Sequence, residues 1–201
     1  MFANSKKNST NLVLLSFLPS LFALAFLYFS FGQSLDELSQ LKASSVVQEV
    51  DEILEYGEEA NNQSLMLLEN PDSCEAHSVA LRHLVATVPY VRSANLAKDN
   101  VIYCTSIWGD SHYQYDLADY SSGRLRLMHG SKVDAKHPLI VVRSESGENT
   151  AFSGIDSLYL RQLLEPHDKL HSYLAVGEQW LDSKDLVLKV NPADRLAAWH
   201  K

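Results

Sequence analysis

Cysteine is scarce in this sequence, which contains only Cys74 and Cys104 among 201 residues. The two do not form a Cys-x-x-Cys motif, and this absence argues against a disulfide oxidoreductase. No Gly-x-Ser-x-Gly segment is present, so the signature of an α/β-type serine hydrolase is missing. Lys and Arg number 17 against 25 Asp and Glu, which gives a net charge of −8. Because an acidic surface repels phosphate groups, we expect no nucleic-acid partner.

Charged residues are absent from residues 11–31, an apolar stretch long enough to cross a bilayer as a helix. Two lysines precede it and two acidic residues follow it. This asymmetry predicts that residues 1–10 form a cytoplasmic tail and that residues 33–201 lie outside. The alternative is a cleaved signal peptide with a small-x-small site at residues 30–32, although the apolar region is longer than signals usually have. We expect the lipid bilayer as a partner through residues 11–31, with the rest in an oxidising space.

A long helix is predicted after the apolar stretch. Ser34 and Glu37 have the spacing of a capping box in which Ser34 is the N-cap. Apolar residues then recur at helical spacing as far as Leu68, and the other face is acidic. The helix is expected to end at Asn70, because a residue before proline avoids the helical conformation. Its apolar stripe is explained equally well by packing on its own domain and by a homodimer seam.

A second helix and a mainly antiparallel sheet are predicted downstream. The second helix begins near Cys74, after an Asp-Ser cap signal, and runs to about Thr87. A short polar link at residues 98–100 is typical of a hairpin. The predicted strands are 90–97, 101–108, 124–129, 139–143, 171–176 and 186–190, with a short helix at 155–164. This order indicates one α+β domain over residues 33–201, with PAS or Cache sensors as the expected architecture.

The two cysteines allow a single intramolecular pairing, which an oxidising compartment favours. A helix from Cys74 rises about 20 Å and the following strand returns roughly 23 Å, so a bridge to Cys104 is feasible. Closing a loop of about 31 residues stabilises a fold by roughly 3.7 kcal/mol, so a purely structural cross-link is a strong alternative. Cys74 lies in the first helical turn, where the dipole favours a thiolate. Glu75 opposes that effect, and His77 is placed to moderate it.

Three segments resemble the CSS-motif sensor domain. They are the helix-borne Cys74, the run Tyr90–Leu96, and the run Tyr103–Gly109 that contains Cys104. The family's Cys-Ser-Ser appears here as Cys104-Thr105-Ser106, a departure that keeps the cysteine and a hydroxyl. The likeness extends over residues 12 to about 190.

The resemblance implies a function that composition does not show. It implies a periplasmic domain between two transmembrane helices of the bacterial inner membrane, ahead of a cytoplasmic EAL domain that hydrolyses cyclic di-GMP. The Cys74–Cys104 disulfide would gate this phosphodiesterase, suppressed when bridged and released when reduced, with periplasmic thiol-disulfide exchange proteins as partners. The sequence has no Glu-Ala-Leu motif and no second apolar span after residue 190. We therefore expect either a missing remainder of a longer protein or an isolated anchored domain.

Two other interpretations stay open. One is a ligand-binding Cache-like input domain of another membrane receptor, in which the disulfide is structural. The other is an anchored adaptor that binds a protein through the long helix. No catalytic residue, cofactor or metal is expected: His167 and His171 have ligand spacing, but the strand predicted to begin at His171 makes a shared helix face doubtful. Tyr103 and Trp108 are interpreted as core residues and not as a ligand cage.

Overall fold

The computed structural model describes residues 5–68, 73–166, 171–189 and 191–192, with side chains from residue 19 onward. The chain divides into two compact units, Met1–Ser45 and Val46–Lys201. Helix α1 (Ser5–Leu67) contributes residues to both units. The remaining helices and the strands described below all belong to the second unit.

The predicted helix start at Ser34 is wrong. Ser34 lies inside α1, and its Oγ donates a hydrogen bond to the Ser30 carbonyl one turn earlier, at 3.0 Å. Because the preceding turn is itself helical, no free N–H groups remain there for an N-cap to satisfy.

The predicted membrane span at residues 11–31 is only partly described. Among the residues whose side chains are described, no helix is long and apolar enough to cross a membrane. Residues 11–18 of the predicted span lie outside that part of the chain. The membrane anchor and the domain start at residue 33 therefore stay predictions.

A six-stranded antiparallel sheet dominates the second unit, in the order β3-β2-β1-β6-β5-β4. Its strands are β1 (Val91–Lys98), β2 (Val101–Thr105), β3 (Gly109–Gln114), β4 (Leu125–Met128), β5 (Leu139–Ser146) and β6 (Asn149–Asp156). Helices α2 (Cys74–Thr87) and α3 (Ser157–Leu164) accompany it, and a small second sheet contains β7 (Leu174–Val176), β8 (Gln179–Leu181) and β9 (Val187–Leu188). The predicted α+β class with a long helix and a mainly antiparallel sheet is confirmed.

The predicted elements match the structure best where the signals are local. Helix α2 has the predicted bounds, and the hairpin turn places Asp99 and Asn100 at φ of 51° and 61°. Two consecutive positive φ values define the type I′ turn that suits a two-residue hairpin. Helix α3 begins two residues later than predicted, because β6 extends to Asp156 and that carboxylate accepts the Leu158 N–H as N-cap. Strands β3, β6 and β8 were not predicted.

Residues of α1 from Val46 onward pack against one face of the sheet. Val50, Ile53 and Leu54 form a buried cluster with apolar residues of β4, β5 and β6. Gly57 permits a close approach, since a Cβ there would lie 2.9 Å from both Ser153 Oγ and Val142 Cγ2. The Ser153 hydroxyl donates to the Gly57 carbonyl at 2.9 Å. The apolar stripe of this part of the helix therefore packs on its own domain.

Candidate functional site

A disulfide joins Cys74 to Cys104, with the two Cα atoms 5.4 Å apart. Cys74 is the first residue of α2. Cys104 lies on β2, which is flanked by β1 and β3, and it pairs with Leu96 and Asp110. The predicted bridge is confirmed, and it fixes the start of a helix to an inner strand of the sheet.

The bridge is enclosed by apolar side chains. Cys104 is 0% exposed and Cys74 is 8% exposed. Ala60 of α1, Leu81 of α2 and Leu96 of β1 belong to the same buried cluster. The cluster is extended by half-buried residues at the end of α1 and by Tyr103, whose pKa is raised by burial. Only Cys74 has any exposed surface, so a thiol reagent has little access to the bond unless the domain opens.

Cys74 occupies the predicted position in the first turn of α2. Ser73 is the N-cap, but its side chain forms no capping hydrogen bond. The N–H groups of the first turn are thus not satisfied by that hydroxyl, and they favour a thiolate on Cys74 when the bridge is open. Glu75 is on the exposed side of this turn.

His77 lies on the buried face of α2, one turn after Cys74. It is 5% exposed, and neither of its ring nitrogens has a hydrogen-bond partner among the described residues. A buried polar group without a partner costs free energy. Its spacing of three residues from Cys74 places the two residues on one face of the helix. That His77 moderates the charge of Glu75 stays a prediction.

The two hydroxyls of the Cys104-Thr105-Ser106 segment complete the end of β2. Thr105 Oγ1 accepts the Trp108 N–H at 3.0 Å, and this closes the turn into β3. Ser106 Oγ accepts the Ala94 N–H at 3.0 Å, and the Ser106 N–H donates to the Ala94 carbonyl at 2.8 Å. These bonds continue the ladder beyond β2, so both hydroxyls support the strand that holds Cys104.

Arg82 was not singled out in the sequence, although it links α2 to this segment. Its Nε donates to the Ser106 carbonyl at 2.9 Å. The helix is therefore attached to the motif at two points, the disulfide at its first residue and the Arg82 hydrogen bond two turns later. No pattern in the sequence distinguishes Arg82 from any other helix-surface arginine.

The opposite face of the sheet carries a cavity of about 1000 Å³, which we call the sheet-face cavity. Thr105 and Trp108 contribute to its lining, together with residues of β1, β3, β6 and the loop at residues 131–138. Side chains alternate along a strand, so Cys104 faces α2 while Thr105 faces the cavity. Trp108 is 65% exposed, so its interpretation as a core residue is wrong, whereas Tyr103 does pack in the disulfide cluster.

The part of the chain that the structure describes contains no group of three His, Cys, Asp or Glu side chains placed to hold a metal ion. His171 is described, whereas His167 lies outside the described residues.

Fold and site together define a class of protein: an α+β domain whose two cysteines join a helix N-terminus to an inner strand of an antiparallel sheet. The family model of the CSS motif domain associated with EAL matches residues 37–199. The chain therefore belongs to the CSS-motif domain family, as its resemblance to that family indicated. A comparison with curated proteins found no match, and a comparison with solved structures found none either.

Proposed function

We propose that this chain is a redox-responsive input domain that regulates a membrane-bound cyclic di-GMP phosphodiesterase. The observation that carries the proposal is the buried Cys74–Cys104 bridge, which lies at the family's motif and ties the start of α2 to the sheet. In the bridged state the phosphodiesterase is suppressed, and in the reduced state it is released. The EAL domain that performs the hydrolysis belongs to a longer protein.

The reductant is a dithiol exchange protein. One of its thiolates attacks the Cys74 sulfur, because Cys74 is the only one of the two cysteines with any exposed surface, and the Cys104 sulfur leaves. The second thiolate of the reductant then breaks the mixed disulfide. The products are two cysteine thiols in this domain and one new disulfide in the partner, which balances two electrons and two protons. The uncapped first turn of α2 stabilises Cys74 as a thiolate.

Reduction releases the first turn of α2 without detaching the helix. Leu81 and Leu84 stay in the buried cluster, and Arg82 keeps its hydrogen bond to Ser106. The freed turn is next to the link from α1, and half-buried Leu65 and Leu68 near the end of α1 pack on the same cluster. The change therefore reaches α1, whose residues from Val46 onward lie on the sheet.

The proposed location is the bacterial inner membrane, with residues 11–31 as the anchor and the domain from residue 33 in the periplasm. The uncharged segment and the lysines before it support this topology. A reporter fused after residue 60 is expected to be active only if it functions outside the cytoplasm. Activity of a cytoplasmic reporter at the same position would contradict the topology.

The regulatory role is tested in a full-length protein that joins this domain to an EAL domain. Cys74→Ala and Cys104→Ala are each expected to raise phosphodiesterase activity to the same level, since either change removes the same bond. Alanine is preferred to serine because the surroundings are apolar and an unpaired hydroxyl there costs free energy.

Leu81→Ala is the matched control, because Leu81 is fully buried in the same cluster but takes no part in the bridge. If Leu81→Ala raises the activity as much as the cysteine variants, loosening of the core accounts for the effect. Unchanged activity in both cysteine variants would refute the redox role.

A second candidate function is a ligand-binding input domain in which the disulfide is only structural. The sheet-face cavity favours it, because its volume is in the range of small-molecule sites. A thiol redox titration discriminates between the two. A potential below about −300 mV is typical of structural disulfides, whereas regulatory bonds have higher potentials.

A further inference from the structure

The geometry points to a small-molecule site in the sheet-face cavity, and its ligand is an uncharged, planar aromatic compound that carries an amide or hydroxyl group. The cavity lies on the face of the sheet opposite the disulfide and encloses about 1000 Å³. Ligand pockets in proteins usually measure about 300–1,000 Å³. The proposal does not depend on the redox role of the cysteines.

The floor of the cavity offers a hydrogen-bonding group that has no partner among the described residues. Thr105, Asn95 and Phe152 are neighbours across β2, β1 and β6, and all three line the cavity. The hydroxyl of Thr105 is engaged by the Trp108 N–H. The half-buried Asn95 side chain forms no hydrogen bond with any described residue. Its carboxamide can therefore donate to and accept from a ligand amide or hydroxyl.

The neighbouring residue pair on the cavity floor is small. Ser93 of β1 is paired with Gly154 of β6, and both line the cavity. A Cβ at position 154 would overlap Ser93 Oγ, so a larger residue there would require the Ser93 side chain to shift. Small residues therefore lie beside Phe152 on this part of the sheet, and they leave room for a planar ligand.

Aromatic side chains form one end of the cavity. The Phe152 ring centroid lies 4.8 Å from that of Tyr115 and 5.8 Å from that of Tyr120. Tyr113 and Trp108 stand at the exposed side, where Trp108 has no place in the core. Aromatic pairs prefer offset or edge-to-face contacts, and this arrangement offers both to an entering ring.

The charges of the lining compensate one another. Three cations face four carboxylates, a net of −1 when the two histidines are neutral. Arg126 pairs with Asp119 at 2.8 Å, and Arg92 lies 4.0 Å from Asp156. The remaining charged groups make other contacts. The Asp134 carboxylate lies 2.6 Å from His137, and the Asp116 carboxylate accepts the Ala118 N–H. Lys132 Nζ lies 4.7 Å from the centroid of the Tyr113 ring. Because both arginines already face carboxylates, an ionic ligand would lose its hydration and compete with these existing pairs, so a neutral one is favoured.

The test uses three probes of one shape: 2-naphthamide, 2-naphthoate and 2-naphthylmethylamine, which are neutral, anionic and cationic near pH 7. Each is titrated into the 201-residue chain, in a nonionic detergent that disperses its apolar N-terminal segment. Binding is followed by the NMR signals of the Asn95 carboxamide and the Trp108 indole N–H. We expect the amide to bind with a Kd at least about tenfold below that of either charged probe, a difference of about 1.4 kcal/mol.

Asn95→Phe directs a bulky side chain into the cavity and is expected to abolish binding of 2-naphthamide. Asn149→Phe is the matched control, because Asn149 lies on β6 outside the lining and should leave the Kd unchanged. The proposal is overturned if a charged probe binds as tightly as the amide, or if Asn95→Phe binds it normally. If the Asn95→Phe variant does not fold, the titration of the unaltered chain is still decisive. The proposal is overturned if the NMR signals of Asn95 and Trp108 do not shift at millimolar concentrations of 2-naphthamide.

Discussion

Reduction of the Cys74–Cys104 bridge should destabilise the domain by a predictable amount and still leave it folded. The bond closes a loop with a sequence separation of 30. Its loss frees the unfolded chain and costs about 3.7 kcal/mol of stability. Single domains usually have a stability of about 5–15 kcal/mol. The reduced domain therefore keeps a positive free energy of unfolding even at the low end of that range.

The assay is urea unfolding of the chain with and without an excess of a phosphine reductant. With a slope of about 2 kcal/mol/M, the midpoint should fall by about 1.9 M on reduction. In a thermal scan the corresponding drop is roughly 7–15 °C, since about 2–4 °C accompanies each kcal/mol in a domain of this size. A Cys74→Ala/Cys104→Ala double variant shows the effect without a reductant and should not respond to one.

Two results would refute the reasoning. A reduced chain that has no cooperative transition, even without urea, is unfolded, and a switch between two folded states is then excluded. An unchanged midpoint would mean that the bond does not restrict the unfolded chain as the loop model requires. Retention of the transition at a lower midpoint is the outcome that the contacts of Leu81, Leu84 and Arg82 predict.

Three further predictions concern single contacts. Gly57→Val should destabilise the domain by about 1–3 kcal/mol in urea unfolding, because a side chain there meets Val142 at 2.9 Å. Asn61→Ala should lower the free energy of unfolding by about 1–3 kcal/mol in the same assay, since Asn61 Nδ2 donates to the buried Val142 carbonyl at 3.0 Å. A decrease below about 0.5 kcal/mol, which is typical of a surface substitution, would contradict this prediction. The hydrogen bond to Asp134 raises the pKa of His137 above 6.5, so an NMR titration should show it protonated to higher pH, and Asp134→Asn should remove the shift. Because the folded-state pKa of His137 is raised, the contribution of its protonation to stability is present below its unfolded pKa and is lost as pH rises through its folded pKa.

Local signals in the sequence were sufficient for several parts of the fold and the site. The bounds of α2 follow from the cap signal before Cys74 and from the proline after Thr87. The turn at Asp99 and Asn100 follows from residue types that tolerate positive φ. With only two cysteines, the pairing had a single solution, and the segment around Cys104 carried the family resemblance.

Other features were decided by tertiary contacts that leave little trace in the sequence. Strand β3 is a polar edge strand, almost entirely solvent-facing, so it has no alternation to recognise. Strand β6 is buried on both faces and uses small residues such as Ser153 and Gly154 where α1 and β1 approach closely. The start expected at Ser34 failed because the preceding turn is helical and engages that hydroxyl.

The sequence by itself therefore determined which residues could form a disulfide, because it contains only two cysteines. It also contains the uncharged N-terminal segment and the Cys104-Thr105-Ser106 motif, which need no tertiary structure to be recognised. The tertiary structure decided how those residues are placed. It buried Cys104 completely, left Cys74 an exposed edge, and set Thr105 against a cavity on the other face of the sheet. The physical reason is that burial and register depend on strands far apart in the chain, such as β1 beside β6, and no local pattern encodes that pairing.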